Sequence, residues 1–548
     1  ANDSWHNIAI TRSGNSVRLF FDGTQVGSTY TTSYTYGGAS KAFRFGNRYP
    51  GGISSSSIFF ISNFRIVKGT ALYTTTFTPS TQPLTQISGT SYLGAQSLSS
   101  AVDTTLIGNN YTNNVTPNGN GPFSYGTGSG GLVWMKGRSG ATAHALYDTA
   151  RGATFDLVSN TTAAQTTQAT GLTAFNTTGF TIGALAKLNT STATYCSWTF
   201  REQAKFFDVV TWTGNSTAGR QISHNLGSVP GCIIVKSTTY VGTNWAVYHR
   251  SLTSNQYALQ LNNTGAELLK TAYWNSTTPT STVFTLGNDA DVNQSAESYV
   301  AYLFAHDAGG FGLTGTDNVI SCGTYAGNGS GSGSNTINLG YEPQYLLVKR
   351  SIGGVGSWWV IDNMRGATAD GNDQLLAANT TAAEVTDQKI AFTATGFTLY
   401  DSSSEFNASG SNYIYIAIRK GPMAVPTSST SVFTPVASRS SGTSQATPIF
   451  NAGFPVDLLL TGIKAGGGSF AIPRLTVGQI GTASTAAETS ASATYNFGGM
   501  LGILSASGGD LSNATVCGWN FRRAPNFFDV VCYTGTGSST TQAHNLAA

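Results

Sequence analysis

Tyr195-Cys-Ser-Trp-Thr-Phe-Arg201 is followed at once by Phe206-Phe-Asp-Val-Val-Thr-Trp-Thr-Gly214 and then by His224-Asn-Leu-Gly227. The same words return as Val516-Cys-Gly-Trp-Asn-Phe-Arg522, Phe527-Phe-Asp-Val-Val-Cys-Tyr-Thr-Gly535 and His544-Asn-Leu546. Tyr302-Leu-Phe304 and Ile416-Ala-Ile-Arg419 are weaker echoes between them. Trp198, Tyr302, Ile416 and Trp519 therefore mark equivalent positions, roughly 110 residues apart. A period of that length gives each copy room for its own core, so the chain reads as tandem domains and not as a solenoid of short repeats.

The strands that feed this pattern read the same way. Leu132-Val-Trp-Met-Lys136 has counterparts in Cys232-Ile-Ile-Val-Lys236, Tyr345-Leu-Leu-Val-Lys349 and Asp457-Leu-Leu-Leu460. Short apolar runs bounded by Gly and Pro are the signature of buried sandwich strands, and Pro230, Pro343 and Pro455 stand at strand entrances. Arg151-Gly-Ala-Thr154 recurs as Arg365-Gly-Ala-Thr368, and Asn160-Thr-Thr-Ala-Ala164 as Asn379-Thr-Thr-Ala-Ala383. No amphipathic helix of four turns is legible. The fold class is all-β: tandem β-sandwich, jelly-roll-like domains.

Residues 1–98 carry a different pattern. Trp5-His-Asn-Ile-Ala-Ile-Thr-Arg12 and Ser16-Val-Arg-Leu-Phe-Phe-Asp-Gly-Thr-Gln-Val26 alternate as half-buried strands. Asp22-Gly23, between Leu19-Phe-Phe21 and Gln25-Val26, predicts a hairpin turn, which needs positive φ. Ile58-Phe-Phe-Ile61, Phe64-Arg-Ile-Val-Lys-Gly69 and Ala71-Leu-Tyr-Thr74 follow. This order, over about 75 residues, resembles the C-terminal half of a laminin-G-like, concanavalin-A-type jelly roll. The resemblance implies that the chain begins mid-domain, as part of a longer protein.

The expected organisation is a C-terminal half of a laminin-G-like domain at 1–98, then a linker and repeat one at 99–205. Repeat two occupies 206–311, repeat three 312–426 and repeat four 427–525, with the truncated start of a fifth at 526–548. Ala547-Ala548 replaces the glycine that follows the equivalent Asn-Leu pairs in earlier copies.

Composition limits function. Charged residues are 10 % of the chain, against roughly 25 % in ordinary soluble proteins, and the net charge is only +3. With no Lys/Arg run, nucleic-acid binding by phosphate neutralisation is excluded. No apolar run approaches the ~20 residues of a membrane helix, and membrane insertion is not expected. The five cysteines show no paired spacing and read as free thiols. There is no Gly-x-Ser-x-Gly, His-Glu-x-x-His or phosphate-binding loop. His224, which recurs as His544, is met by Ile337 in repeat three, so it reads as a strand residue. Asp208 and Asp529 are lone acids at strand starts, expected to make a structural hydrogen bond or a charge pair with Arg201 and Arg522. Asp289-Ala-Asp291 is too small a cluster to specify calcium. Catalysis, cofactors and metals are not expected.

The carbohydrate-binding candidates are Trp245, Tyr248, Trp358 and Trp359, which could stack on sugar rings if exposed. Trp245 and Trp359 are taken as equivalent, and recurrent aromatics also mark shared cores, so both roles stay open. Trp198 and Trp519 are expected in the cores of their own repeats.

The repeat pattern, low charge and laminin-G-like segment together resemble long structural proteins of marine and cyanobacterial bacteriophages, tail fibres among them. That resemblance implies a virion appendage, assembled in the host cytoplasm and later extracellular. Its partners would be other virion tail or capsid proteins and host surface polysaccharide, and its state a homotrimer. Three readings follow: a glycan-binding fibre, a structural spacer or decoration protein without ligand, and a polysaccharide depolymerase, for which no carboxylate pair is visible.

Overall fold

The computed structural model describes residues 6–33, 64–67, 70–79 and 90–94, and residues 130–548 apart from 177–178, 367–372, 422, 424, 427, 441–447, 464–468, 477, 483, 491–496, 498–500, 504–515, 532–534, 536, 540, 542–545 and 547–548. The chain divides into two compact units, residues 1–129 and 130–548. The expectations for 58–61, Cys532, His544 and Ala547-Ala548 fall outside the described residues.

In the first unit, strands Ile8–Ser13, Ser16–Phe21 and Thr24–Thr31 form an antiparallel sheet in sequence order. The turn between the last two is as expected, with φ of 48° at Asp22 and 79° at Gly23. A Cβ on Gly23 would lie 1.9 Å from the Phe77 carbonyl oxygen, so glycine is required twice over. Asp22 also accepts from the Asn7 N–H at 2.7 Å and pairs with His6. Phe20 packs edge-on against Phe77 on one face, while Ile8, Ile10, Leu19, Phe21 and Val26 remain exposed.

The second unit is a set of antiparallel sheets built on one plan. In repeat two, strands Phe207–Thr213, Ser298–Phe304, Cys232–Ser237, Ala246–His249, Tyr257–Gln260 and Leu268–Leu269 bond in that spatial order. Repeat three repeats the order with Ile320–Ala326, Asn412–Arg419, Pro343–Ile352, Trp358–Asp362, Asp373–Ala377 and Val385–Asp387. Repeat four does so from Phe433–Val436 to Thr489–Ser490. Repeat one shows the central part, Tyr195–Arg201, Gly131–Gly137 and Ala145–Asp148. A small second sheet covers one face of each large sheet. In repeat three it is Asn335–Asn338, Gly396–Leu399 and Ile390–Thr393, whose Ile337, Phe397 and Phe392 pack on Leu346 and Val348.

The helices are single turns, and among the described residues none is long and apolar enough to cross a membrane.

The opposite face explains why the central strands are apolar at every position instead of alternating. Gly131–Gly137 and Cys232–Ser237 are buried along their whole lengths. Val133 and Met135 face the core of their own repeat. Leu132 and Trp134 face a second core shared with Ile234, Tyr302, Leu347 and Ile416 of the other two repeats. Phe200 of repeat one meets Phe304 of repeat two at 5.5 Å and Tyr345 of repeat three at 5.6 Å. Strands buried on both faces read as continuous hydrophobic runs.

Trp519 does not follow Trp198. Trp198 is 8 % exposed and Trp519 41 %. The reason is the position itself: it points to the shared core, and repeat four does not contribute to that cluster.

Candidate functional site

Three repeats close on one another in a ring, and its seams use the sequence-predicted residues. Lys236 of repeat two donates to the Thr162 carbonyl of repeat one at 3.3 Å. Lys349 of repeat three donates to Thr264 of repeat two at 3.0 Å, and Lys136 of repeat one to Thr381 of repeat three at 3.4 Å. The acceptors occupy one repeat position. Beside each lysine a main-chain bond crosses the seam: Gln165 N–H to Thr238 O, Glu267 N–H to Ser351 O and Glu384 N–H to Arg138 O, each 2.9 Å. The order is cyclic: two donates to one, three to two, one to three.

The aromatic candidates complete these seams. Trp245 is fully buried and donates its indole N–H to Val158 O of repeat one at 3.0 Å. Trp358, also buried, donates to Gln260 O of repeat two at 3.0 Å. Their strand registers agree, since Val235 pairs with Ala246 and Val348 with Trp359. Trp245 is thus equivalent to Trp358, not to Trp359, a correction of one residue. Repeat one has His144 here. Its Nδ1 accepts from the Trp134 indole at 2.8 Å, which leaves Nε2–H to face Ala377 O at 3.0 Å. Burial pushes His144 down to about 3, so the ring is neutral.

A further set of contacts lies deeper. Trp198 donates to Asp362 at 2.9 Å, Tyr302 to Asp148 at 2.8 Å, and His249 faces Tyr415 O at 3.2 Å. Arg151 and Arg365 hold the two aspartates at 2.6 Å. Indole and ammonium donors bound to seam carbonyls satisfy groups whose burial would otherwise cost stability. Trp245 and Trp358 are therefore not available as sugar platforms. Trp359 is half-buried, its indole N–H bonded to Glu405 at 2.6 Å. The four candidates do not converge on one surface.

The remaining polar candidates also have structural duties. Asp208 accepts from the Asn225 and Val209 N–H groups at 2.6 and 3.0 Å. Asp529 pairs with Arg523, one residue beyond the expected Arg522. Asp289 accepts from the Asp291 N–H, and Asp291 binds Asn244 N–H at 2.7 Å and the Tyr273 hydroxyl. Buried His224 faces Thr280 O at 3.2 Å. Among the described residues no three His, Cys, Asp or Glu side chains converge on a metal position. Burial, with Asp208 and Asp148, pushes Glu202 up to about 7. Both of those carboxylates are already engaged.

A concave surface lies elsewhere among the described residues. A groove of about 530 Å³ at one end of repeat two is lined by Lys205, Ser228, Tyr248, Arg250 and His306, with Val229 and Pro230 as apolar wall. Tyr248 is the sequence candidate that reaches it. Sequence reasoning missed the rest because they come from separate segments, with no spacing to connect them.

Comparison with known proteins gives two family matches. Residues 1–72 match the laminin-G-like family of the concanavalin A-like lectin/glucanase superfamily, in keeping with the expected partial jelly roll. No curated protein and no solved structure matches. Residues 108–422 match a domain of unknown function, DUF7483, a span that takes in the three ring-forming repeats and stops before the fourth. Since that match covers more than half of the sequence, the chain belongs to the DUF7483 family.

Proposed function

We propose that the three-repeat ring is a rigid, non-catalytic structural module of a bacteriophage virion appendage of the tail-fibre kind. The observation that carries this reading is the placement of the aromatics. Trp245 and Trp358, two of the four sugar-stacking candidates, are consumed in the seams. Side chains in that position contribute stiffness and shape, not adhesion. The low charge and the neutral, Gly/Ser/Thr-rich loops suit a particle surface. Glycan contact, if the appendage makes it, falls more naturally to the laminin-G-like segment, whose superfamily includes lectins. The homotrimer, the virion partners and release from the host cytoplasm belong to the same proposal.

The test uses the full chain with intact host cells and purified surface polysaccharide. Trp359→Ala and Trp519→Ala, the accessible aromatics of repeats three and four, are expected to leave any binding unchanged. Saturable, sugar-competed binding lost in either variant would sink the spacer reading and restore adhesion to the repeats. Light scattering of the same sample should give three times the 57.2 kDa of one chain. A monomeric mass removes the trimer and leaves the ring intact.

A further inference from the structure

The groove at the end of repeat two stands apart from the seams in its chemistry. Charged side chains in the seams and in the contact with repeat four have partners: the three seam lysines bind carbonyl oxygens, and Arg151 pairs with Asp148, Arg365 with Asp362 and Glu384, Arg474 with Asp457 and Glu342. Lys205 and Arg250 are exposed and have no ion pair or side-chain hydrogen bond among the described residues. No carboxylate lines the groove; Asp307 lies behind it, 3.5 Å from His306 Nδ1.

The neutral groups are donors as well. His306 Nδ1 accepts from the Cys322 N–H at 3.2 Å, which leaves its Nε2–H to donate. The Ser228 hydroxyl is buried without a partner, and the Tyr248 phenol has none among the described residues. A buried hydroxyl without a partner is a group for which a ligand supplies the missing bond.

The backbone adds an independent sign. Lys205 has φ of 66°, a conformation costly for a long side chain. The equivalent residue after repeat four is Asn526, with φ of 58°; Asn adopts this region readily. Lys205 crosses Gly310, where a Cβ would come within 2.7 Å of its Cδ. Gly310 leaves the room through which the Lys205 side chain reaches the groove.

We propose that this groove binds a compact organic anion, bearing a carboxylate or a sulfate ester, of one to two sugar rings in size. Five donors and no lining acid select the oxyanion, Val229 and Pro230 provide the apolar contact for its body, and the volume lies within the usual range for small-ligand sites. The site is independent of the seams and so of the spacer reading.

Calorimetric titration of the full chain at low salt tests it with four probes: digalacturonate, glucose 6-sulfate, inorganic phosphate and neutral maltose. One or both organic anions should bind, at least tenfold more tightly than maltose and phosphate, and weaken as salt rises. Arg250→Ser and Lys205→Asn should each weaken that binding at least fivefold, with melting unchanged. Lys389→Ser in repeat three, which removes the same charge elsewhere, should not. Phosphate binding as tightly as the sugar acids, no anion bound above the neutral sugar, or either groove variant binding as wild type would each overturn the proposal.

Discussion

Lys349 sits in a seam with its ammonium group on Thr264 O and Gly356 O, and burial lowers it to about 7. An unfolded lysine titrates near 10.5, so between the two values the unfolded chain binds more protons than the folded one. Stability should therefore rise as pH rises from about 7. Lys349→Met should flatten that slope, read by chemical denaturation from pH 7 to 8.5. It also leaves two carbonyls bare, at a cost of about 1–3 kcal/mol each. The histidines act at the other end. His249 is buried neutral and pushed down to about 3, so below pH 6.5 the unfolded state takes up the proton first and stability falls with pH. His249→Gln should move acid unfolding to lower pH, as followed by tryptophan fluorescence. The two equivalent tryptophans also separate at this scale. Trp198→Ala should cost about 3–5 kcal/mol and Trp519→Ala less than about 1, because only Trp198 lies in a shared core. Equal losses in calorimetry would contradict the assignment.

The elements differ in how they are joined. Repeat four meets repeat three through a buried charge cluster: Glu342 with Arg474 and Arg523, and Asp457 with Lys420 and Arg474. The cationic neighbours hold Asp457 well below the usual carboxylate range, against the opposing effect of its burial. Removing one partner from such a cluster typically costs about 3–5 kcal/mol, since the others stay buried and unpaired. Glu342→Ala should therefore loosen repeat four while the ring melts nearly as before, with protease cleavage appearing first between 420 and 457. Sequence legibility also divides at this scale. The Asp22-Gly23 hairpin and the apolar strands ending in Lys136, Lys236 and Lys349 were readable, because turn chemistry and short apolar runs are local. The pairing of Trp245 with Trp359 failed by one residue, and in a strand one residue exchanges the faces. For that reason Trp359 packs against its own repeat's core beside Phe406, and Trp358 against the shared one. The groove was illegible because four of its five donors belong to loops, brought together with Tyr248 only by the sandwich.

For the whole second unit, recurrence revealed the number of copies but not that three of them close in a ring. Each seam residue satisfies the ordinary expectation for a core position, so nothing local distinguishes a private core from a shared one. A shared core predicts shared unfolding. Trp358→Ala should lower a single calorimetric transition covering all three repeats; a split, with repeat three melting early, would show the repeats to be independent.

The seam between Lys136 and Thr381 joins residues 245 positions apart. A chain leaving the ribosome therefore completes repeat one long before Asp362, the acceptor for Trp198, exists outside the tunnel. Until then the Trp134–Trp198 face waits in water, a sticky surface on every nascent copy. Synthesis speed across repeat two thus becomes a determinant of yield, and neighbouring nascent chains that meet through these faces would exchange repeats instead of closing their own rings.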